Sequence, residues 1–355
     1  MIQLIRYEFV KIMMRKSIAL TFAIFLMFLV AYSFVQHVGL SDASEDYRPY
    51  EGPITQEKAN LARDHMQIIG LNNEYIYPNG VFYDILNFSP ETKNNYTSYD
   101  ENGQIRTRTV DVTDIHYNKP WGYLLEYIDQ FGTVFMIIFI LLGLAPVFAN
   151  EYALGTASLL RSSKRGKSKL VTAKLLASMI YIVVCVIVFA GVNLQVYWLR
   201  FGHLAGADTP IQSVAMYFDT FYYEFSPYRF TALQYYIVQL LTHAAGSLVF
   251  GCIVLLVSVL SSTPFIAVSV SAAIVGLPYL AYDVLNLNSG WMRWLESFQL
   301  STMIRVTRLF KYDVHYSVLG LNLSYFTLYM AVISLFTIGV VVFTYRTFRL
   351  REVFS

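Results

Sequence analysis

Apolar residues fall into six long runs, at 17–37, 131–149, 170–194, 233–260, 264–284 and 322–345. At about 1.5 Å per residue, a helix of about 20 residues crosses a hydrocarbon layer of about 30 Å. None of the runs carries a string of charges, so each predicts a transmembrane helix. Only Ser261, Ser262 and Thr263 separate the fourth run from the fifth, and Pro264 suits the first turn of the helix that follows. Pro146 and Pro278 lie inside runs, where a missing backbone donor predicts a kink or a break. Residues 1–16 repeat Leu4, Ile5, Phe9, Ile12 and Met13 at helical spacing, with Arg6, Lys11, Arg15 and Lys16 supplying charge. That pattern predicts an amphipathic helix lying in the membrane interface. Bulky Tyr32, Phe34 and Val35 stand where a cleavage site needs small residues, so the first run reads as a retained anchor.

The polar stretches differ greatly in length. The longest, 38–130, contains a predicted helix from Thr55, its N-cap, to Ile69, and a strand-like alternation over 104–112. A structureless loop of that length is unusual, which predicts a small folded unit. The stretch 195–232 is dense in Tyr and Phe and predicts an aromatic belt at the membrane surface. In 285–321, Trp291, Trp294, Leu295 and Phe298 share one helical face, predicting an interfacial or re-entrant helix. The expected fold class is an all-α polytopic membrane protein with six transmembrane helices. It has an N-terminal amphipathic interfacial helix (1–16) and a small α+β extracytoplasmic domain (38–130) between the first and second spans. A cytoplasmic loop follows at 150–169, then four more spans over 170–345, and a cytoplasmic tail at 346–355.

Charge sets the expected orientation. The N-terminus, residues 150–174, the 261–263 turn and the C-terminus together hold half of the 26 bases but only Glu8, Glu151 and Glu352 of the 24 acids. Short, base-dense segments stay in the cytoplasm. Both termini are then cytoplasmic, which requires an even number of spans, and the chain is expected in the plasma membrane. Charged residues make up 14% of the chain, against about 25% in soluble domains. The net charge of +2 gives no global field for nucleic acid, and no nucleic-acid partner is expected.

Candidate chemistry is sparse. Cys185 and Cys252 both sit in apolar runs and read as small buried hydrophobes. No CxxC, HExxH or GxxxxGK[ST] pattern occurs, so no metal, cofactor or catalytic residue is assigned and no ATP site is expected in this chain. His243 lies mid-span beside Gln239 and Thr242. Ionisable groups at that depth face the bundle interior, either lining a path or hydrogen-bonding between helices.

The segment after the second run carries the most specific order. Glu151 is followed by Gly155 and Thr156, then the apolar step Leu159–Leu160, a basic turn with Arg165, and Lys174 opening the third run. Residues from Ala149 to Leu160 can extend the second span as helix, with Gly155 and Thr156 permitting a bend, and Lys174 can snorkel to the surface. This order resembles the permease subunits of type-2 ABC exporters, as does the tract Tyr7-Glu8-Phe9 with Lys11 ahead of the first span. The long first loop, with Tyr50 to Thr55 followed by Glu57-Lys58, resembles the longer Gram-positive permeases, some of them linked to peptide-antibiotic export or resistance. The resemblance implies a separate ATP-binding cassette subunit gripped by Glu151, Gly155, Thr156, Leu159, Leu160, Arg165 and Lys174. It also implies a second permease chain, identical or related, and export of a peptide, drug or lipid-like substrate. Gln239, Thr242 and His243 are the candidates to line the path. The alternative is a membrane sensor or scaffold that uses the outer unit for ligand and the inner loop for signalling.

Overall fold

The computed structural model describes residues 1–35, 47–71, 80–90, 97–99, 105–108, 110–156, 166–216, 221–285, 297–318 and 320–350. It is mostly helical. Among these residues six helices are long and apolar enough to cross a membrane: Lys16–Ser33, Lys119–Ala153, Ser168–Phe201, Ala232–Leu260, Pro264–Tyr282 and Tyr325–Phe348. All six predicted runs therefore correspond to candidate spans. Helix α1 (Ile2–Met13) precedes α2 (Lys16–Val35), and buries Glu8 and Ile12 against the bundle.

The second span departs most from its expected limits. It begins as α5 (Lys119–Tyr127), passes through a π-helical turn (Ile128–Gly132), and continues as α6 (Thr133–Leu144) and α7 (Pro146–Ala153). The added turns are held by core contacts of Trp121, Leu124 and Leu125 rather than by an apolar run. Pro146 breaks the hydrogen-bond ladder as expected, and the orphaned groups are met from outside. Arg15 Nη1 donates to the carbonyls of Leu142 (3.3 Å) and Gly143 (2.8 Å). Ser258 Oγ donates to Ala145 O (2.6 Å) and accepts from the N–H groups of Phe148 (3.0 Å) and Ala149 (3.1 Å). A proline in lipid is tolerated when neighbours take over the freed backbone groups in this way.

The third span is α8 (Val171–Phe201), ended by Gly202 in the left-handed region. The fourth, α9 (Ala232–Leu260), starts from a capping box: Thr231 Oγ1 accepts from Gln234 N, and Gln234 Oε1 accepts from Thr231 N. The fifth, α10 (Pro264–Tyr279), has Thr263 as its N-cap and Pro264 at N1. Short helices α11 (Leu300–Arg305) and α12 (Arg308–Lys311) lead to the sixth span, α13 (Tyr325–Leu350). Residues 322–324, expected as helix, belong instead to a strand pair, His315–Val318 with Leu321–Ser324. Helix α9 is the hub: 72% of its apolar window is buried, against 17% for α10. The outward faces of α2, α10 and α13 carry exposed apolar side chains, as lipid-facing helices do.

Between the first two spans, α3 (Gln56–Leu71) and α4 (Val81–Asn87) pack around Tyr47, Ala62, Val81, Ile85, Ile115 and Tyr117. Thr55 Oγ1 accepts from Lys58 N at 3.3 Å, the expected cap. Two short strand pairs, Gly52–Pro53 with Asp114–Ile115 and Thr97–Tyr99 with Ile105–Thr107, complete this region. Arg108 ties it to the segment after the third span through Glu224 (2.9 Å). Burial raises the Glu224 carboxyl above the ordinary carboxylate value, and Arg108 pulls it part of the way back. The aromatics expected as a surface belt form a core instead. Phe221, Tyr223 and Phe225 are buried, and Tyr228 and Phe230 meet Phe310. Tyr217 and Phe218 lie outside the described residues, as do Trp291, Trp294 and Leu295 of the expected interfacial helix.

Candidate functional site

The site is built where three elements converge at one end of the bundle. Glu8 comes from α1, Glu151 from the last turn of α7 and Lys174 from the first turn of α8. Lys174 Nζ lies 2.6 Å from Glu151 Oε1 and 3.3 Å from Glu8 Oε2, and donates to Val147 O at 2.9 Å. An ammonium has three donors and no acceptor, so its capacity is filled. The Phe148 ring lies 5.4 Å from the charge. Lys174 is fully buried, which corrects the expectation that it snorkels: with two carboxylates and a carbonyl around it, the charge is satisfied inside. Lys11, half exposed, stands 4.0 Å from Glu151 Oε1, so two bases face two acids. Glu151 Oε2 is buried without a hydrogen-bond partner.

The chain leaves this cluster abruptly. Helix α7 stops at Ala153, and Gly155 adopts φ 68°, a left-handed conformation that favours glycine. Thr156 N donates to Glu151 O at 3.0 Å and closes the turn. Helix therefore does not run unbroken past Ala153, because the chain turns at the glycine. Leu154, at the turn, is exposed. Leu159, Leu160 and Arg165 lie outside the described residues. The cluster thus unites Glu151 and Lys174, with Gly155 and Thr156 in the adjoining turn. Glu8 completes it, through an ion pair that the Tyr7-Glu8-Phe9 tract does not reveal by itself. The one available signal was an acid on the buried stripe of an otherwise basic helix.

Gln239, Thr242 and His243 lie together on α9, all buried. His243 Nδ1 is 2.6 Å from Ile304 O, and Gln239 Nε2 donates to Leu125 O at 3.0 Å. Thr242 Oγ1 donates to Val238 O within its own helix. The His243 and Gln239 bonds are ties between elements, and the Thr242 bond is internal to α9. The void beside His243, bordered by Tyr127 and Tyr236, measures about 10 Å³, at the lower limit for one water. Below it, Asp129 of the π turn pairs with Arg305 Nε at 2.9 Å and also accepts from Thr307 Oγ1. These bonds hold Val306 between them at φ 69°, a strained value for a β-branched residue. Among the described residues no group of three or more His, Cys, Asp or Glu is placed to hold a metal.

No protein-family model, no curated protein and no solved structure matches the chain. What is established is a multi-pass helical membrane protein with six candidate spans.

Proposed function

We propose that this chain is the membrane-spanning permease subunit of an ATP-driven exporter, coupled to a separate ATP-binding cassette protein and paired with a second permease chain. The observation that carries the reading is the buried Glu8–Lys174–Glu151 cluster. It fastens the N-terminal helix to the second and third spans beside the turn that opens the basic segment 157–165. A push on the Gly155–Thr156 turn reaches three elements through one cluster of charges. Lys11 at 4.0 Å and the unpartnered Glu151 Oε2 give the cluster a second arrangement to move into. Coupling needs no more than different contacts with two states of the ATPase. The outward apolar faces of α2, α10 and α13 leave room for lipid and for the second chain.

The test is co-expression with the ATP-binding protein of the same locus, capture through a tag at Ser355, and ATP hydrolysis in lipid. A stable complex is expected, with stimulated hydrolysis that Glu151→Gln and Gly155→Ala both weaken while insertion persists. Unchanged transport and ATPase stimulation in both variants would sink the coupling role. A locus with no ATP-binding protein, and a chain that captures none, would favour the sensor or scaffold.

A further inference from the structure

A cleft of about 380 Å³ lies away from the ion cluster, lined by Val110, Asp111, Pro210, Gln212, Arg229, Phe230 and Thr231. Its size falls at the lower end of small-ligand pockets. Two segments far apart in sequence supply opposite charges to it. Asp111 precedes the Asp114–Ile115 strand, and Arg229 precedes α9. Arg229 makes no hydrogen bond or ion pair with any described residue, and it is exposed.

Hydrogen bonds frame the cleft. Pro210 and Thr231 form a β-bridge, with Ile211 N donating to Phe230 O and Ala232 N to Thr209 O, both at 2.9 Å. Gln212, 1% exposed, donates through Nε2 to Ser226 O (3.2 Å) and Tyr228 O (2.8 Å). Those two carbonyls fix the amide orientation, because a flipped amide would set oxygen against oxygen. Gln212 Oε1 is left buried with no partner. A buried acceptor without a donor is costly, and a ligand N–H is one way to satisfy it. The N-terminus of α9 adds the positive end of a 29-residue helix. Its first N–H groups are already used by Thr209, Ala207 and Thr231, so it contributes field, and Arg229 is the donor left for an anion.

We propose that this cleft binds a small zwitterion of the amino-acid type, free or as the two ends of a short peptide. The carboxylate lies on Arg229 near the start of α9, the ammonium lies toward Asp111 and Gln212, and the apolar part rests on Phe230. This site stands independently of the transport reading.

The experiment uses the full chain in lipid nanodiscs and calorimetric titration with L-alanyl-L-alanine, its N-acetyl form, its C-terminal amide, and free L-alanine. The unblocked dipeptide or alanine is expected to bind. Blocking either end of the dipeptide should weaken it about tenfold or more, the value of one charge-assisted hydrogen bond. Arg229→Gln should bind the dipeptide and its amide alike, and Asp111→Asn the dipeptide and its acetyl form alike. Alanine binding as well as dipeptide assigns a free amino acid, and dipeptide alone assigns a peptide. Equal affinity for free and blocked forms, or no binding at millimolar concentration, overturns the proposal. The blocked ligands act on the parent chain, so the result stands even where a variant fails to fold.

Discussion

A lysine near the end of a transmembrane helix is ordinarily a surface anchor. Lys174 is instead a buried cation whose three donors meet Glu8, Glu151 and the Val147 carbonyl. Its worth lies in the pairing. Removing one partner of a buried pair strands the other and costs about 3–5 kcal/mol, whereas removing all of them is far cheaper. Lys174→Met is therefore expected to destabilise the chain by about 3–5 kcal/mol in thermal unfolding. The triple variant Glu8→Gln/Glu151→Gln/Lys174→Met should recover most of that loss. A triple variant no more stable than the single one would mean that Lys174 acts through packing alone. Arg15 follows the same rule with backbone partners: Pro146 frees carbonyls in the second span, and the guanidinium supplies the missing donors.

Among the helices, α9 holds the bundle because it lets others come close. A Cβ on Gly246 would stand 2.9 Å from the Met303 carbonyl and 3.0 Å from Ile304 N, both backbone. A Cβ on Gly251 would meet the Cδ1 end of Ile182, which can rotate away. Overpacking costs about 1–3 kcal/mol where neighbours cannot give. Gly246→Ala is expected to lower the unfolding temperature clearly, and Gly251→Ala much less. The reverse order would show that α11 is free to shift from α9. His243 belongs to this contact as well, since it holds the Ile304 carbonyl from one turn away. The outer aromatics also act at this scale, filling the space between α9, α12 and α13.

For the whole molecule, the expected topology rests on six candidate spans and the charge asymmetry. Both termini are expected on the cytoplasmic side, with 38–130 outside. Reporter fusions at the N-terminus and at Ser355 should both read cytoplasmic, and a fusion near residue 75 should not. Termini on opposite sides would require an odd number of spans and would overturn this topology.

The sequence alone determined the six candidate spans, the helix cap at Thr55, Pro264 in the first turn of its helix, and the break at Pro146. Each of these depends on local properties: length of apolar run, side-chain reach and a missing N–H. It also brought Glu151, Gly155 and Lys174 together as a motif. Only tertiary structure decided that Lys174 is buried, that Glu8 completes its shell, and that the second span starts at Lys119. The same holds for the aromatics that form a core and for Arg229 and Asp111, which share one cleft. Those outcomes depend on partners distant along the chain, such as the Lys174–Glu8 pair 166 residues apart. A charge or an aromatic ring has no fixed environment until folding supplies its neighbours.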